Sequence, residues 1–302
     1  MEFGKLSDIA RVDFQLPETP AFTKNLLQQS PPASGLKVYT GCPIWAHKAW
    51  VGKIYPANAK SQDYLKYYCG QFNTIELNTT HYRVPDSETV ARWREQASEG
   101  FRFAPKFPQP IAHEKRLGQE AKALSDAFCE VISGLGSYLG TSFIQLPPYF
   151  DRSFLPNLKS FLADFPKHIP IAFEFRHHEW FKQNYFEEAA SLLASHQAAT
   201  VITDVAGRRD VLHMHLSRPV LFLRFVGNEL HASDYSRVDA WVQRICEWQA
   251  LGLQEVYFFA HEPDNTLAPE LAAYFIKEMN RVCKLQLTPP QLQKYGTQGS
   301  LF

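Results

Sequence analysis

The sequence predicts a protein of the α/β class, organised as a single TIM-like (β/α)8 barrel. Short apolar runs rich in β-formers recur eight times along the 302 residues, and amphipathic segments separate most of them. The chain between a polar N-terminal stretch and a Pro- and Gln-rich C-terminal stretch is close to the roughly 250 residues typical of such a barrel. Regular alternation of strand and helix predicts parallel strands, and eight strands predict closure of the sheet.

The predicted strands are nearly continuous in apolar residues, as expected for strands buried on both faces. In chain order they are LKVYTG at 36–41, TIELN at 74–78, FRFAPK at 101–106, SFIQLP at 142–147, PIAFEF at 170–175, ATVITD at 199–204, VLFLRF at 220–225 and EVYFFA at 255–260.

The segments between the strands carry the apolar spacing of helices. The last but one predicted helix has Val238, Trp241 and Ile245 on one face, and Asp86 is the expected N-cap of an earlier helix. The 15 residues VAGRRDVLHMHLSRP between strands six and seven lack this spacing, so an irregular connection is expected there. An open, doubly wound sheet is the alternative, but no dinucleotide-binding fingerprint follows the first strand.

The two ends of the chain differ in composition from its centre. Residues 1–35 are polar and are predicted to form an N-terminal arm, and residues 286–302 are predicted to form a flexible C-terminal tail. The barrel domain is expected to span residues 36–285.

Composition bounds the function classes. Lys and Arg total 31 and Asp and Glu total 31, and this balance argues against a generic nucleic-acid-binding surface. No apolar run reaches the ~20 residues of a membrane span and the N-terminus has no signal-peptide core, so a cytoplasmic protein without membrane association is expected. Five cysteines at wide spacing, with no C-x-x-C, predict reduced thiols rather than disulfides.

The active site of such a barrel lies at the carboxyl ends of its strands, and seven of the eight predicted strands end in a polar or ionisable side chain. The catalytic candidates among these residues and their neighbours are Glu76, Glu174, Asp204 and Lys106. The substrate-binding candidates are Trp45, Asn78, Tyr82, Gln145, Arg176, Arg224 and His261.

Three kinds of chemistry fit these residues. Carboxylates on separate strand ends could hold a divalent metal. Lys106, Arg176 and Arg224 would bring three cations to the same mouth and favour an anionic ligand, and this second interpretation is preferred. Glu76 and Glu174 could instead act as an acid/base pair.

Two further features are interpreted as packing. Trp50 in the first loop is predicted to lie in the core. The pair His213 and His215 is predicted to be an exposed or packed pair in a loop, because no third metal ligand follows at a recognisable spacing.

The motifs at the strand ends resemble those of the YecE-like family, domain of unknown function 72, over residues 36–285. The matching stretches are YTGCPIWAHKAWVGKIYP at 39–56, FNTIELNTTHYRVP at 72–85, FRFAPKFPQPIAHEKRL at 101–117, FIQLPP at 143–148, FEFRHHEWF at 173–181, TDVAGRRD at 203–210, LRFVGN at 223–228 and FFAHEPDNTLAPEL at 258–271. The resemblance implies a TIM-like barrel and points to the same strand-end residues, with no settled activity. Ala260-His261 departs from the Asn pair that many members carry after strand eight.

The last five residues form a second motif. The residue types and spacing resemble those of the short Gln-x-Ser-Leu-Phe peptides that dock on bacterial DNA sliding clamps, with the matching residues Gln298, Leu301 and Phe302. This similarity makes the sliding clamp a candidate partner, and an unengaged tail is the preferred alternative.

Together these features predict an enzyme that acts on a small anionic or sugar-containing substrate at the strand ends, by hydrolysis or isomerisation. Two alternatives stay open. One is an endonuclease-like DNA-transaction protein tethered to the clamp by its tail, and the other is a barrel that binds a ligand without turnover.

Overall fold

The structure is a computed structural model that describes residues 4, 6–31 and 35–293. Within these residues all eight predicted strands are present. They are β1 Lys37–Gly41, β2 Thr74–Leu77, β3 Arg102–Pro105, β4 Ser142–Gln145, β5 Ile171–Glu174, β6 Ala199–Asp204, β7 Val220–Val226 and β8 Glu255–His261.

All paired strands are parallel. One sheet has six strands in the order β1-β8-β7-β6-β5-β4, and β2 pairs with β3 in a second sheet. Neighbouring strands therefore follow chain order, whereas a doubly wound sheet would reverse direction at a switch point. The predicted α/β class with parallel strands is confirmed, but no single closed eight-stranded sheet is found in the described part of the chain.

Hydrogen bonds nevertheless cross the gaps between the two sheets. The Glu76 N–H on β2 donates to the Cys42 carbonyl beyond β1 at 3.2 Å. On the other side, the Phe107 N–H after β3 donates to the Phe143 carbonyl on β4 at 2.9 Å. Gly41 on β1 allows β2 to come this close, because a Cβ at position 41 would lie 2.0 Å from the Thr74 carbonyl oxygen.

The helices cover the sheets on the outside. They are α1 Ala21–Gln28, α2 Tyr64–Cys69, α3 Thr79–Tyr82, α4 Ser87–Gln96, α5 Lys122–Ser133, α6 Leu155–Asp164, α7 Tyr185–Ser195, α8 Ala232–Leu251 and α9 Ala268–Val282. Asp86 caps α4 as predicted, since its carboxylate accepts from the Thr89 N–H at 2.8 Å. Trp241 and Ile245 are buried on α8. Within the described residues, no helix is long and apolar enough to cross a membrane.

The connection between β6 and β7 is irregular, as predicted. A short turn at Ala206–Val211 is followed by extended chain, and α1 of the N-terminal arm packs against it. The Thr23 hydroxyl donates to the Met214 carbonyl at 2.9 Å and accepts from the Leu216 N–H at 2.9 Å. The arm thus packs against this connection and against α8.

The start of the predicted tail is fixed to the rest of the fold. Asn280 and Leu287 exchange two hydrogen bonds of 2.8 Å, and the Gln291 N–H donates to Gln71 Oε1 at 2.7 Å. The clamp-like residues Gln298, Leu301 and Phe302 lie outside the described residues.

The cysteine prediction is wrong for one pair. Cys246 on α8 and Cys283 after α9 form a disulfide, with Cα atoms 5.5 Å apart. Their separation of 37 residues hid this pairing, because α8 and α9 flank β8 and pack side by side. The described thiols of Cys42, Cys69 and Cys129 are free and buried.

Candidate functional site at the carboxyl ends of the strands

A cavity of about 750 Å³ opens at the carboxyl ends of the strands. We call it the mouth cavity. Seven of the predicted site residues line it: Asn78, Tyr82, Lys106, Gln145, Arg176, Arg224 and His261. Strand ends from both sheets contribute, as expected when parallel strands share one edge.

Glu76 lies at the base of this site and is fully buried. Arg224 binds it with two hydrogen bonds, from Nε to Oε2 at 2.9 Å and from Nη2 to Oε1 at 2.8 Å. Asn78 Nδ2 donates to Oε1 at 2.9 Å, and His261 Nε2 donates to Oε2 at 2.9 Å. Both carboxylate oxygens are therefore held by protein donors.

Glu174 is the second carboxylate bound to the same guanidinium. Arg224 Nη1 donates to its Oε2 at 2.8 Å, so Arg224 joins the two carboxylates. Oε1 accepts from Arg176 Nε at 2.8 Å and from the Thr203 hydroxyl at 3.0 Å.

Strand alternation explains this convergence. Successive side chains on a strand point to opposite faces, so Glu76 faces inward while Ile75 and Leu77 face the surrounding core. The same alternation turns Arg224 inward between Leu223 and Phe225 on β7.

Both carboxylates stay ionised near neutral pH. Burial alone would raise the pKa of Glu76, but the charges of Arg224 and His261 hold that pKa well below its usual value. Burial likewise opposes ionisation of Glu174, while Arg176 and Arg224 lower its pKa to about 2. Neither group carries a proton to donate, and their contacts favour fixing Arg224 over the predicted catalytic role.

Lys106 differs from these residues because its hydrogen-bond partner is neutral. Its Nζ donates to Gln145 Oε1 at 2.9 Å, and within the described chain it forms no salt bridge. Burial, together with the charge of Arg224, lowers the pKa of Lys106 to about 7. The two carboxylates already balance Arg176 and Arg224, so a protonated Lys106 gives the cluster one excess positive charge.

Asp204 is not brought to the mouth cavity. It points outward from β6, where Trp241 Nε1 donates to Oδ2 at 2.7 Å and Arg237 Nη1 donates to Oδ1 at 3.0 Å. Arg209 also bonds to Oδ1. Burial opposes ionisation, but the two arginines lower the pKa of Asp204. The carboxylate therefore anchors α8 to β6.

The aromatic candidates also differ in whether they reach the mouth cavity. Trp45 packs edge-on against Trp93, with ring centroids 5.9 Å apart, and does not line the mouth cavity. Tyr82 lies at the rim and is 80% exposed. Trp50 is fully buried, as predicted.

The predicted loop histidines are packing residues. His213 stacks near Phe186 with ring centroids 4.1 Å apart and bonds to the Val201 carbonyl through Nε2. Burial lowers the pKa of His213 to about 3 and of His215 to about 4. Across the described residues, no three His, Cys, Asp or Glu side chains are grouped to hold a metal. The donor set at Glu76 and Glu174 instead fits a guanidinium.

The sequence reasoning missed three ionisable residues that line the mouth cavity, namely the exposed Glu229 and His231 and the buried Glu262. Glu262 follows β8 directly and is 4% exposed. Burial, aided by the charge of Asp234, raises the pKa of Glu262 to about 7. The motif FFAHEPDN contains it, but the predicted strand ended at 260 and drew attention to His261 alone.

Fold and site together define a class of protein: a parallel α/β fold with a charged cavity at the carboxyl ends of its strands. The chain belongs to the family described as "Protein of unknown function DUF72", whose sequence profile matches residues 39–294. This match confirms the family resemblance found in the sequence.

Two curated relatives illustrate the relationship. The UPF0759 protein YecE of Escherichia coli K12 is 29% identical over 253 residues, which cover 78% of this chain and 89% of that protein. The UPF0759 protein YunF of Bacillus subtilis 168 is 26% identical over 166 residues, which cover 52% of this chain and 56% of that protein.

Solved structures of the same family share the fold. A DUF72 family protein of Enterococcus faecalis, EF0366, superposes with a TM-score of 0.66 at 19% identity and covers 85% of this chain and 99% of that one. A DUF72 family protein of Thermotoga maritima, TM1631, gives a TM-score of 0.63 at 23% identity, with 81% and 99% covered.

Proposed function

We propose that the mouth cavity binds a small anionic, hydroxyl-rich ligand, such as a sugar carrying a phosphate or carboxylate, and that the protein is an enzyme acting on it. The observation that carries this proposal is the charge of Lys106. Its ammonium group is buried beside a cluster whose other charges are already balanced, and its hydrogen-bond partner Gln145 is neutral. An anion entering the cavity would supply the missing negative charge.

The remaining lining fits the non-ionic part of such a ligand. Asn78, Gln145 and Asn228 bring carboxamides that can donate to and accept from hydroxyl groups. The exposed ring of Tyr82 offers an apolar face at the rim, on which a sugar ring can stack.

Lys106 also supports turnover. A lysine whose pKa is near 7 exchanges protons readily at neutral pH, which is the property that general acid–base catalysis requires. Hydrolysis and isomerisation of a sugar derivative both need such a group, so these two reaction classes are proposed for the site.

The anion site is tested by calorimetric titration of sulfate, whose charge is constant between pH 6 and pH 8. We expect Lys106→Met to weaken sulfate binding at pH 6 by roughly tenfold to a hundredfold, because a hydrogen bond to a charged group contributes about 1.5–3 kcal/mol. In the unchanged protein, affinity should fall as pH rises through about 7, where Lys106 loses its proton.

Lys122→Met is the matched control, since Lys122 is an exposed lysine on α5 that pairs with Asp126. It should leave sulfate affinity unchanged. Absence of sulfate binding at millimolar concentration, or equal binding by Lys106→Met, would refute the anion site.

We also infer that the two sheets form one (β/α)8 barrel. Support comes from the strand order β4 through β8 to β1 and from the hydrogen bonds across both gaps. A closed barrel would place Lys106 and Arg224 around one mouth, as the proposed site requires.

A further inference from the structure

Glu262 is a buried carboxyl group at the mouth cavity that the network around Arg224 does not use. It lies after β8, and its Oε2 accepts from the Glu229 N–H at 2.8 Å. Its Oε1 is buried and has no hydrogen-bond partner within the described chain. Half of this carboxyl group is thus left without a partner, a condition that buried polar groups rarely tolerate.

The backbone around Glu262 is shaped to admit it. Gly227 follows β7, and a Cβ at this position would lie 2.3 Å from Glu262 Oε1. A side chain larger than hydrogen would therefore displace the carboxyl group. Both residues line the mouth cavity.

Burial and the charge of Asp234 raise the pKa of Glu262, although the charge of Arg237 favours the carboxylate form and lowers that pKa. In the described chain Glu262 forms no salt bridge, and the adjacent Arg237 is already bound to Asp204 and to Asp234. Asp234 itself is a buried negative charge on α8, close enough to disfavour a second one. The charged and titratable groups that face Glu262 or share its cavity are Asp234, Arg237, Glu229, His231, His261, His81, Tyr82, Arg224, Arg176 and Lys106.

We propose that Glu262 stands in the wall of the mouth cavity as a neutral carboxylic acid, so that an anionic ligand meets no negative charge from the side of β8. This inference rests on the proposed function and adds a second recognition element to it. Lys106 attracts the anionic group of the ligand, while a protonated Glu262 does not repel it. A carboxylic acid donates to an anion or a hydroxyl, whereas a carboxylate would repel the anion.

The protonation is tested first without any ligand. Infrared difference spectra between the unchanged protein and Glu262→Gln should show the C=O stretch of one protonated carboxylic acid at pH 6, and this band should weaken markedly by pH 8. Its absence at pH 6 would overturn the proposal. A pH titration of the unchanged protein alone gives the same band if the variant does not fold.

The effect of this protonation on ligand affinity is then tested with sulfate. In the unchanged protein two groups oppose binding as pH rises, because Lys106 loses its positive charge and Glu262 gains a negative one. Each contributes a decrease of up to about tenfold per pH unit above its pKa. Glu262→Gln keeps a neutral group of similar shape in the same place, so it should retain sulfate affinity at pH 6 within about threefold. Above pH 7 its affinity should fall through the titration of Lys106 alone.

Glu229→Gln is the matched control, because it removes an exposed carboxylate at the rim while its N–H to Glu262 stays in place. The sulfate affinity of this variant should still decrease with pH through both Lys106 and Glu262. Equal pH dependence in Glu262→Gln and the unchanged protein would overturn the role of Glu262 while leaving the anion site intact. Failure of the unchanged protein to bind sulfate would overturn both proposals.

Discussion

Replacing Arg224 by methionine tests the central ion pair of the fold. Arg224 is 1% exposed and donates three hydrogen bonds, two to Glu76 and one to Glu174. Methionine fills a similar length without charge. The substitution leaves two buried carboxylates, of which Glu174 still has Arg176 and Glu76 has only Asn78 and His261.

The expected cost follows from the burial of Glu76. Removing one partner of a buried ion pair lowers the free energy of unfolding by about 3–5 kcal/mol, because the remaining charge is desolvated without compensation. The double variant Arg224→Met/Glu76→Gln should recover about 2 kcal/mol or more, since the orphaned charge is gone.

The cost should depend on pH. In the unchanged protein the pKa of Glu76 is lowered, so its contribution to stability is present above the unfolded pKa of about 4.3 and is lost as pH falls through the folded value. Without Arg224, burial raises the pKa of Glu76 above the unfolded value, and the carboxyl group becomes neutral on mild acidification. The difference in stability between protein and variant should therefore narrow from pH 8 to pH 5, by about 1.4 kcal/mol per unit of pKa difference.

Urea unfolding followed by tryptophan fluorescence at pH 8 and pH 5 measures both effects. Lys122→Met, which breaks an exposed pair with Asp126, is the control and should leave the unfolding midpoint unchanged. A cost below about 1 kcal/mol for Arg224→Met at pH 8, or a difference that widens on acidification, would refute the assigned role of this ion pair.

Two further outcomes are expected. Asp204→Asn should lower the free energy of unfolding by about 2–4 kcal/mol, because it weakens the hydrogen bonds to Arg237 and Trp241. Calorimetric titration should show unchanged sulfate affinity. A weakened affinity would place Asp204 in the binding site. Reducing the Cys246–Cys283 disulfide should cost about 2–4 kcal/mol in urea unfolding, as expected for a loop of 37 residues; no change in the midpoint under dithiothreitol would contradict that contribution.

The sequence predicted the strands and seven residues of the cavity lining because both follow from local pattern. An apolar run ending in a polar residue marks the carboxyl end of a buried strand, and Lys106 and Arg224 were found in this way. The pattern does not tell which of two consecutive residues faces inward. At the end of β6 it is Thr203 that reaches Glu174, while Asp204 turns outward to α8.

Three other features depend on distance rather than pattern. Glu262 gains its place from the length of β8 and from the missing side chain of Gly227, neither of which is visible in spacing. The Cys246–Cys283 pair depends on how α8 and α9 pack. The pairing of β1 with β8 depends on contacts between strands that are far apart in the chain.

The use of α1 in place of a helix between β6 and β7 has a consequence for synthesis. The ribosome makes α1 before it makes any of the strands, yet Thr23 bonds to Met214, 191 residues later. Until β6, β7 and α8 emerge, the apolar side of α1 has no surface to cover, and the irregular connection has no cover of its own. Such long-range contacts slow folding and leave apolar surface exposed in the nascent chain. The contacts of the N-terminal arm with this connection thus form only after about two hundred further residues have been translated.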